Sequence, residues 1–337
     1  MFKLTEAQIM SNWSIEEPIG VSICCITYKQ EKYIKQAIDS FLMQKTTFPF
    51  EIIIGEDHGK DNTLTILNEY QQKYPRLIRV ITSDDNIGAN SNLLRVFHAA
   101  EGKYIAVCEG DDYWCNENKI QVQFDKLEAD SSISICVHSA KLLKDNNLHN
   151  GFKMSIKESF FDVNDVINCN KQYSPTASYF FKRSNIGVLP NWFSEAPIGD
   201  FFIEVYMLSQ GKGCFLSAEM AVYRVGSDNS WSSSINENIQ KYIQTQERIV
   251  NYTNKIVTDF PNQEIEINDR VMNIYLSIMK RCILCGVDDI VYTYRSKYHS
   301  LKKHIILKNE IVLFLFNFPK MLRFLHRFKK PFNKNFW

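Results

Sequence analysis

Short apolar runs alternate with helix-like patterns along roughly the first third of this chain. The runs VSICCI (21–26), FEIIIG (50–55), LIRVIT (77–82) and YIAVC (104–108) are rich in β-branched residues, which is typical of buried parallel strands. Between the first two runs, apolar residues recur on one helical face: Ile34, Ala37, Ile38, Phe41 and Leu42. Alternating strands and helices predict an α/β protein with a Rossmann-like, doubly wound, mostly parallel sheet.

The later part of the chain has a less regular pattern. ISICVHSAKLL (133–143) predicts another strand, residues 144–172 are polar and indicate loops, and residues 235–300 carry mainly helical patterns. Two more helices are expected earlier, one after the cap candidates Asp61–Thr63 and one over Asn92–Ala100. These elements predict one large sheet followed by a helical extension.

Polar residues follow the first four predicted strands, and three of the four ends are acidic. In open parallel sheets, ligands bind at the carboxyl ends of the strands. One acidic pair after a strand is usually a solvated turn, whereas four polar ends at one edge favour a binding site. The residues concerned are Thr27 and Tyr28, Glu56 and Asp57, Asp84 to Asn86, and Glu109, Asp111 and Asp112.

The densest group of carboxylates lies in CEGDDYW, residues 108–114. Mg²⁺ and Mn²⁺ bind one or two carboxylates in such sites and keep positions for phosphate oxygens. If the segment is extended, Glu109 and Asp111 point to the same side and can bind one ion, while Asp112 turns away. A cation there would neutralise a diphosphate leaving group. The pattern therefore predicts a site for Mn²⁺ or Mg²⁺.

The composition is that of an ordinary globular protein, with 45% hydrophobic residues, 23% charged residues and a formal net charge of +1. The nine cysteines are an odd number, and the N-terminus lacks the apolar core of a signal peptide. We therefore expect a reduced, cytoplasmic protein. The CxxC pair Cys282 and Cys285 has no second pair or histidines beside it, which indicates helix packing rather than zinc binding.

The small net charge conceals a basic C-terminus. Residues 301–337 hold nine Lys or Arg against Glu310 alone, interleaved with Phe and Leu, and include the apolar run IVLFLFNF (311–318). This run is too short to span a bilayer. A basic, aromatic, amphipathic segment favours the surface of an anionic membrane, and packing on the protein or on a second copy is the alternative.

Four stretches, in this order and spacing, resemble the family 2 glycosyltransferases of the GT-A fold: SICCITYKQEKYIKQAIDSFLMQ, IIIGEDHGKDNTLTIL, NIGANSN and AAEGKYIAVCEGDDYW. The similarity covers about residues 20–235. It implies a nucleotide-sugar donor, a divalent metal and inversion at the anomeric carbon. The implied organisation is a GT-A domain over 1–235, with a nucleotide-sugar half at about 20–130 and an acceptor half at about 131–235, then a helical extension over 236–300 and the tail over 301–337.

The resemblance also implies roles for the residues at the strand ends. Thr27 and Tyr28 would flank the nucleobase, and Asp57 would hold it. Glu109-Gly110-Asp111 stands at the Asp-x-Asp motif of the family, with Asp111 and Glu109 as metal ligands and Asp112 as an adjoining donor-site carboxylate. Leu93 and Leu94 stand where the family has an Arg-Asn pair, and Gly226 stands where it often has a histidine. The expected donor-binding set is completed by Glu56, Asn86 and Arg224.

An inverting transferase needs a base that takes the proton of the acceptor hydroxyl. The family has an acidic residue at the start of a helix after the acceptor segment, and Asp200 in PIGDFF (197–202) fits that position, with Glu204 one helical turn on. The alternative is that Asp200 only caps the helix. The resemblance favours Asp200 as the catalytic base.

The sequence thus predicts a metal-dependent, inverting glycosyltransferase that acts in surface-polysaccharide assembly, peripherally at the inner face of the cell membrane. It would move a hexose or N-acetylhexosamine from a nucleotide diphosphate sugar, expected to be a UDP-sugar, to a glycan or lipid-linked glycan hydroxyl. A noncatalytic nucleotide-sugar or carbohydrate-binding protein stays open, as does a nucleotidyltransferase, although a Gly-rich basic phosphate loop is missing after the first strand. Nucleic acid is not an expected partner, since the rest of the chain is acidic.

Overall fold

The computed structural model describes residues 3–14, 16–152, 155, 157–228, 235, 238–301 and 307–328 of the 337-residue chain. The chain divides into two compact units, Met1–Val163 with Tyr173–Ser230, and Asn164–Gln172 with Trp231–Trp337. The first unit contains the sheet, and the second is helical. Five basic residues of the tail lie outside the described residues: Lys302, Lys303, Lys329, Lys330 and Lys334.

The four apolar runs of the sequence form the parallel part of the sheet: β1 (Val21–Thr27), β2 (Phe50–Glu56), β3 (Ile78–Thr82) and β4 (Tyr104–Val107). β1 pairs in parallel with β2 and β4, and β3 pairs in parallel with β2. Nearly every residue of β1, β2 and β4 is buried, as expected for strands covered on both faces. The prediction of these strands is confirmed.

Helices connect these strands, as expected for crossovers between parallel strands. α1 (Glu6–Ile9) precedes β1, α2 (Ile34–Leu42) and α3 (Thr63–Lys73) follow β1 and β2, and α4 (Ala89–Ala99) follows β3. α4 begins three residues before the predicted start at Asn92, directly after Gly88, whose φ of 89° ends the preceding loop. α2 buries the predicted face, including Ile34, Ala37 and Phe41.

The second half of the first unit adds strands that pair mostly, but not entirely, in the antiparallel direction. They are β5 (Tyr113–Trp114), β6 (Ile133–Lys144), β7 (Asn147–Phe152), β8 (Ser159–Phe161), β9 (Phe180–Lys182) and β10 (Lys212–Arg224). The described strands follow the order β3-β2-β1-β4-β9-β6-β10-β5, with β7 on β6 and β8 on β10. β9 is antiparallel to β4 and β6, whereas β10 is parallel to β6. The sheet is therefore mixed beyond β4.

The prediction of loops over 144–172 is wrong, because this stretch contains β7, β8 and α6 (Val163–Asn168). β6 and β7 form a hairpin whose two turn residues, Asp145 and Asn146, have φ of 49° and 61°, a conformation that Asp and Asn tolerate. β7 is largely exposed. β7 is an edge strand, and its polar sequence does not indicate a strand. It forms because its backbone pairs with that of β6.

Two helices complete the first unit, α5 (Lys119–Ala129) and α7 (Asp200–Leu208). The second unit contains α8 (Ile239–Lys255), α9 (Glu264–Cys285), α10 (Asp289–Leu301), α11 (Leu307–Leu315) and α12 (Pro319–Phe328). The helical prediction for 235–300 is confirmed, and Cys282 is buried in the core of this unit. Among the described residues, no helix has both the length and the apolarity needed to cross a membrane. Short 3-10 segments lie at Met10–Asn12, Thr176–Ser178, Arg183–Val188, Phe193–Glu195 and Pro261–Gln263.

Candidate active site

The parallel register brings the predicted strand ends to one edge of the sheet. Thr27 pairs with Glu56 in β1 and β2, and two hydrogen bonds extend the pairing past the strands. Asp57 N donates to Thr27 O at 3.0 Å, and Gly110 N donates to Ile26 O at 3.0 Å. The CEGDDYW segment, Thr27 and Asp57 therefore meet at one edge, as the sequence predicts.

The segment at Glu109 is a turn, not an extended strand. Asp112 N donates to Glu109 O at 3.1 Å, which closes the turn over Gly110 and Asp111. The expectation that alternation along a strand points Glu109 and Asp111 to the same side is therefore wrong. Gly110 lets the turn approach β1 and α2 closely, since a Cβ there would lie 3.1 Å from Thr27 Cβ in β1, 2.9 Å from Ile34 Cδ1 in α2 and 2.5 Å from Gln30 Oε1 between them.

Two buried oxygens beside Gly110 have no hydrogen-bond partner among the described residues. They are Thr27 Oγ1 and Gln30 Oε1, and a Cβ at Gly110 would lie 3.1 Å from Thr27 Cβ. Buried polar atoms of this kind are usually satisfied by a ligand or by ordered water. Thr27 thus presents a buried hydroxyl where the sequence predicts contact with the donor.

Four carboxylates share one electrostatic environment. Burial, then Asp111 and Asp200, raise the pKa of half-buried Glu109 to about 8. Burial, followed by Asp111 and Glu109, raises the pKa of Asp112 well above its usual range. The pKa of Tyr223 on β10 is raised by burial and by all four carboxylates, Asp200 included. Asp200 therefore lies within electrostatic reach of the turn, although it is about 90 residues further along the chain.

The end of β10 holds the acidic turn in place. Ser227 Oγ donates to Asp111 Oδ2 at 2.6 Å, and Arg224 Nε donates to Asp111 O at 2.7 Å. Arg224 N donates to Asp112 Oδ1 at 2.8 Å. The other oxygen of Asp112, Oδ2, is buried and meets no partner among the described residues. This loop fixes the orientation of both aspartates from a distant part of the sequence.

Arg224 is bound by protein groups on several sides. Its Cζ lies 4.9 Å from the ring centroid of Tyr33 and 5.2 Å from that of Tyr113. Its Nη2 donates to Gln36 Oε1 at 2.5 Å. These contacts, with the bond to Asp111 O, hold the guanidinium against the acidic turn. Its expected contact with a diphosphate stays a prediction.

Asp57 is buried and organises the loop after β3. Its Oδ1 accepts from Ile87 N at 2.8 Å and from Ser83 Oγ at 3.2 Å, and its Oδ2 accepts from Gly88 N at 2.9 Å. Asn86 lies in this loop with its side chain exposed. The loop that carries Asn86 is thus attached to the carboxylate expected to hold the nucleobase. Each carboxylate oxygen has two acceptor positions, so Asp57 keeps capacity for a ligand.

Glu56 shapes the turn that follows β2. Its carboxylate accepts from His58 N at 3.1 Å and from Gly59 N at 2.6 Å, and His58 has a φ of 58°. The side chain is buried. Tyr28 is half-buried and directly follows Thr27, the residue that pairs with Glu56 in the sheet. Lys29 Nζ lies 5.0 Å from the ring centroid of Tyr28. Glu56 therefore holds the backbone of the turn that follows β2.

Asp200 is the first residue of α7, and Gly199 takes the cap position. Asp200 Oδ1 accepts a hydrogen bond from Phe201 N at 2.8 Å, so its carboxylate also interacts with the helix start. Tyr179 OH donates to the backbone oxygen of Asp200 at 3.5 Å. The side chain is half-buried, which keeps it accessible from solvent.

Asn90 holds the segment that leads to Asp200. Its Nδ2 donates to Phe193 O at 3.2 Å, Ala196 O at 2.9 Å and Ile198 O at 3.2 Å. A Cβ at Gly199 would lie 2.5 Å from Asn90 Oδ1, so the close approach requires glycine. Asn90, from the NIGANSN stretch, thereby determines where α7 begins.

Residues 22–184 match the sequence model of "Glycosyl transferase family 2". This segment of the chain is a domain of that family. The chain is similar in sequence to an uncharacterized protein of Mycobacterium tuberculosis. The two are 31% identical over 226 residues, which are 64% of this chain and 61% of that protein. The chain thus spans about three fifths of the length of the curated relatives that it matches first.

Two solved structures are similar to this chain over most of its length. TarS residues 1–349 of S. aureus, in complex with UDP-GlcNAc, has a TM-score of 0.54 at 14% identity, covering 92% of each chain. The mannosyltransferase PcManGT of Pyrobaculum calidifontis, in complex with GDP-Man and Mn²⁺, has a TM-score of 0.55 at 12% identity, covering 93% of this chain and 85% of that one. The GT-A fold expected from the sequence is confirmed.

The site supplies oxygen ligands that suit a divalent cation. Among the described residues, no three Asp, Glu, His or Cys side chains are gathered closely enough to chelate a metal alone. Mg²⁺ and Mn²⁺ often bind only one or two carboxylates and complete their shell with phosphate oxygens and water. Glu109 and Asp111 supply hard oxygens in a turn with excess negative charge, and Asp111 is already oriented by Ser227. These residues fit such an ion.

Sequence reasoning missed Ser227 and Asn90 in this family 2 site. Ser227 follows Gly226, the position where the family often has a histidine. Gly226 has a φ of 75°, and no atom of the described residues lies within 4 Å of the Cβ that another residue would carry there. The only sequence signal for Ser227 was its place in that late loop. Asn90 lies in a quoted motif, but its three carbonyl partners belong to a short 3-10 segment and the loop after it, more than a hundred residues away.

Proposed function

We propose that the chain is a metal-dependent, inverting glycosyltransferase that uses a nucleotide diphosphate sugar as donor. The observation that carries this proposal is the shared electrostatic environment of the turn carboxylates and Asp200 at the carboxyl ends of the parallel strands. Such an arrangement has the two requirements of inverting transfer, a place for a diphosphate and a base for the acceptor. Membership of family 2 supports the same reaction class.

The donor is proposed to lie along the ends of β1, β2 and β4. Thr27 and Tyr28 would flank the base, Asp57 would accept hydrogen bonds from it, and Asp112 and Arg224 would border the diphosphate. The loop with Asn86 would close one side of the nucleotide. A UDP-sugar is the proposed donor, which the UDP-GlcNAc complex of structurally similar TarS supports, while GDP-Man in the mannosyltransferase is the competing donor type.

Asp111 and Glu109 would hold Mn²⁺ or Mg²⁺. The Mn²⁺ complex of the structurally similar mannosyltransferase supports this choice of ion class. A bound ion would supply neutralisation of the diphosphate charge. It would also lower the pKa of Glu109 again, because a cation favours the ionised carboxylate.

Asp200 would act as the base. The acceptor hydroxyl oxygen attacks the anomeric carbon of the donor sugar as Asp200 takes the hydroxyl proton. The bond between the anomeric carbon and the diphosphate oxygen breaks on the opposite face, and the nucleoside diphosphate leaves. Attack opposite the leaving group inverts the anomeric configuration. Asn90 and Gly199 would serve as positioning residues that set the start of α7 for this step.

The acceptor is proposed to be a glycan or lipid-linked glycan hydroxyl in surface-polysaccharide assembly, reached by the protein at the inner face of the cell membrane. The resemblance of the sequence motifs to family 2 enzymes of that kind supports this part, and the basic C-terminus supports the membrane location. A hexose or N-acetylhexosamine is the proposed transferred group.

The test is donor hydrolysis and thermal shift over a panel of UDP- and GDP-sugars, with Mn²⁺, with Mg²⁺ and with chelator. Wild type is compared with Asp111→Asn and with Asp125→Asn, which removes an exposed carboxylate from α5. We expect one donor class to stabilise the wild type and the Asp125→Asn variant only when metal is present, and Asp111→Asn to lose this response. Metal-dependent donor binding without turnover under any condition would support a binding protein and overturn the proposal.

A further inference from the structure

The last two described helices are attached to the second unit by one side. Leu313 of α11 and Phe316 after it are buried in the helical core, and Leu322 of α12 packs against that core. Arg323 donates to both carboxylate oxygens of Asp288, at 2.8 and 3.1 Å, and to Ile283 O at 2.9 Å. The two helices are therefore part of the second unit and not a separate arm.

The other side of these two helices presents large apolar side chains to solvent. Phe314 is 61% exposed and Phe318 is 45% exposed, and their ring centroids lie 5.4 Å apart. Phe314 lies on α11, and Phe318 lies in the turn between α11 and α12. Five of the twelve exposed large hydrophobic residues in the described part of the chain lie here, and we call them the exposed stripe: Ile311, Phe314, Phe318, Met321 and Phe324.

An apolar patch of this kind on a protein surface usually marks an interaction site. The positive charge around this patch favours a negatively charged partner. Lys320 is exposed beside the stripe, and residues 301–337 contain nine Lys or Arg with Glu310 as the one carboxylate. Basic residues precede α11 and follow α12 in the sequence, at Lys302, Lys303, Lys329, Lys330 and Lys334.

We propose that the exposed stripe docks on the surface of an anionic phospholipid membrane. Apolar side chains inserted among the acyl chains and basic residues at the headgroups are the two signals that stable peripheral attachment requires. Nucleic acid would bind the basic residues but would leave the apolar stripe in water. Because the other side of both helices is already packed, the helices lie in the interface and keep the second unit at the membrane surface. This inference deepens the membrane location given under the proposed function and rests on it, but it does not require glycosyl transfer.

The test is sedimentation of the full chain with vesicles of phosphatidylcholine alone and of phosphatidylcholine mixed with phosphatidylglycerol. The variant Phe314→Ser with Phe318→Ser removes two rings of the stripe. The matched control, Leu148→Ser with Phe160→Ser, removes two side chains that are 55% and 54% exposed in the first unit. Circular dichroism and thermal melting establish that each variant is folded, and size-exclusion chromatography gives its oligomeric state.

We expect the wild type to sediment with the phosphatidylglycerol vesicles, and less so as salt is raised. The partition coefficient of the stripe variant should fall about tenfold or more, while the control stays near the wild type. Wild type that does not sediment, or a stripe variant that sediments equally well, would overturn the proposal. Dimerisation that the stripe variant abolishes, without vesicle binding, would overturn it in favour of a second copy. None of these readouts requires donor turnover, so their failure is distinct from failure of the proposed transferase activity.

Discussion

Ser227 Oγ donates a 2.6 Å hydrogen bond to Asp111 Oδ2, and the two residues are 116 positions apart in the sequence. The bond fixes one oxygen of the carboxylate and so determines the direction in which the other oxygen points. A second hydrogen bond from the same loop, Arg224 Nε to Asp111 O, fixes the backbone of the turn. The end of β10 thus acts as the support of the proposed metal ligand.

Ser227→Ala should weaken activation by metal. Loss of a hydrogen bond that orients a ligand typically costs about 10- to 100-fold in metal affinity or activity. We expect the Mn²⁺ concentration for half-maximal donor hydrolysis to rise in that range, and Ser227→Thr to restore most of it. Ser300→Ala, which removes an exposed hydroxyl from α10, is the control. An unchanged metal titration in Ser227→Ala would mean that the hydroxyl does not orient Asp111 for metal binding.

Arg224→Lys should destabilise the protein, although the charge is kept. A lysine ammonium lacks the planar guanidinium that stacks on the rings of Tyr33 and Tyr113 while donating to Asp111 O and Gln36. Loss of these partly exposed contacts should lower the free energy of unfolding by about 1–2 kcal/mol, measured by urea denaturation. Arg76→Lys, at an exposed position, should leave it unchanged. Equal stability of Arg224→Lys and wild type would contradict the stacking.

Asp200→Asn should remove transfer but keep donor binding. An amide of the same shape cannot accept the proton of the acceptor hydroxyl, and general bases contribute about 10²- to 10⁴-fold. We expect kcat for transfer to fall in that range, with the donor-induced thermal shift retained. The Asp125→Asn variant again serves as control. If Asp200→Asn transfers sugar at the wild-type rate, Asp200 is not the base and only stabilises the start of α7.

Asn90→Ala should reduce transfer more than donor binding, because its Nδ2 group holds three carbonyls of the segment before α7. Those carbonyls would lose their donor, and Asn90→Asp should fail as well, since a carboxylate only accepts when ionised. We expect kcat to fall about tenfold or more while the donor KM changes little. Ser91→Ala, which removes only a 3.4 Å contact to Ser194 O, is the matched control and should be close to wild type. A large rise in donor KM would indicate that Asn90 supports the nucleotide side instead.

Lys119 should make stability depend on pH. It is fully buried beside the ring of Trp114, donates to Gln123, and its pKa is lowered to about 7, chiefly by burial. In the unfolded chain a lysine has a pKa of about 10.4, so the unfolded state binds more protons between pH 7 and 10. The free energy of unfolding contributed by this residue therefore rises as pH rises through that window.

The measurement is urea denaturation of wild type and Lys119→Met at pH 7 and pH 9.5. We expect the difference between the two pH values to be smaller in the variant, and Lys45→Met, at an exposed position, to behave as wild type. The groups whose pKa values interact with Lys119 are His138, Cys108 and Cys136, and both variants keep them. An identical pH dependence of wild type and Lys119→Met would show that Lys119 is not the group responsible.

The sequence was most informative about the buried parallel strands. VSICCI and FEIIIG are apolar at consecutive positions because helices cover both faces of the central strands, and such runs are visible without any knowledge of partners. β7 and β9 were not predicted for the opposite reason. β7 is an exposed edge strand with a polar sequence, and β9 is three residues long, so each depends on the strand beside it.

Some features of the candidate site could likewise be predicted from the sequence, and others could not. Glu109, Asp111, Asp112 and Asp57 follow apolar strands directly, so topology alone brings them to one edge of the sheet. The extended geometry assumed at Glu109 was wrong because Gly110 allows a turn against Gln30 and Ile34, and that packing is not visible in the local sequence.

The sequence by itself determined the central strands, the family and the group of acidic residues at the strand ends. These features depend on local apolar patterning and on motifs within a few residues, and both can be read along the chain. The tertiary structure alone decided the partners of those residues: Ser227 and Arg224 on the turn, Asn90 on the segment before Asp200, and the exposed faces of α11 and α12. The physical reason is that hydrogen bonds and burial depend on distance in space and not on distance along the chain. Folding brings residues that are far apart in the sequence to within a few ångströms of each other.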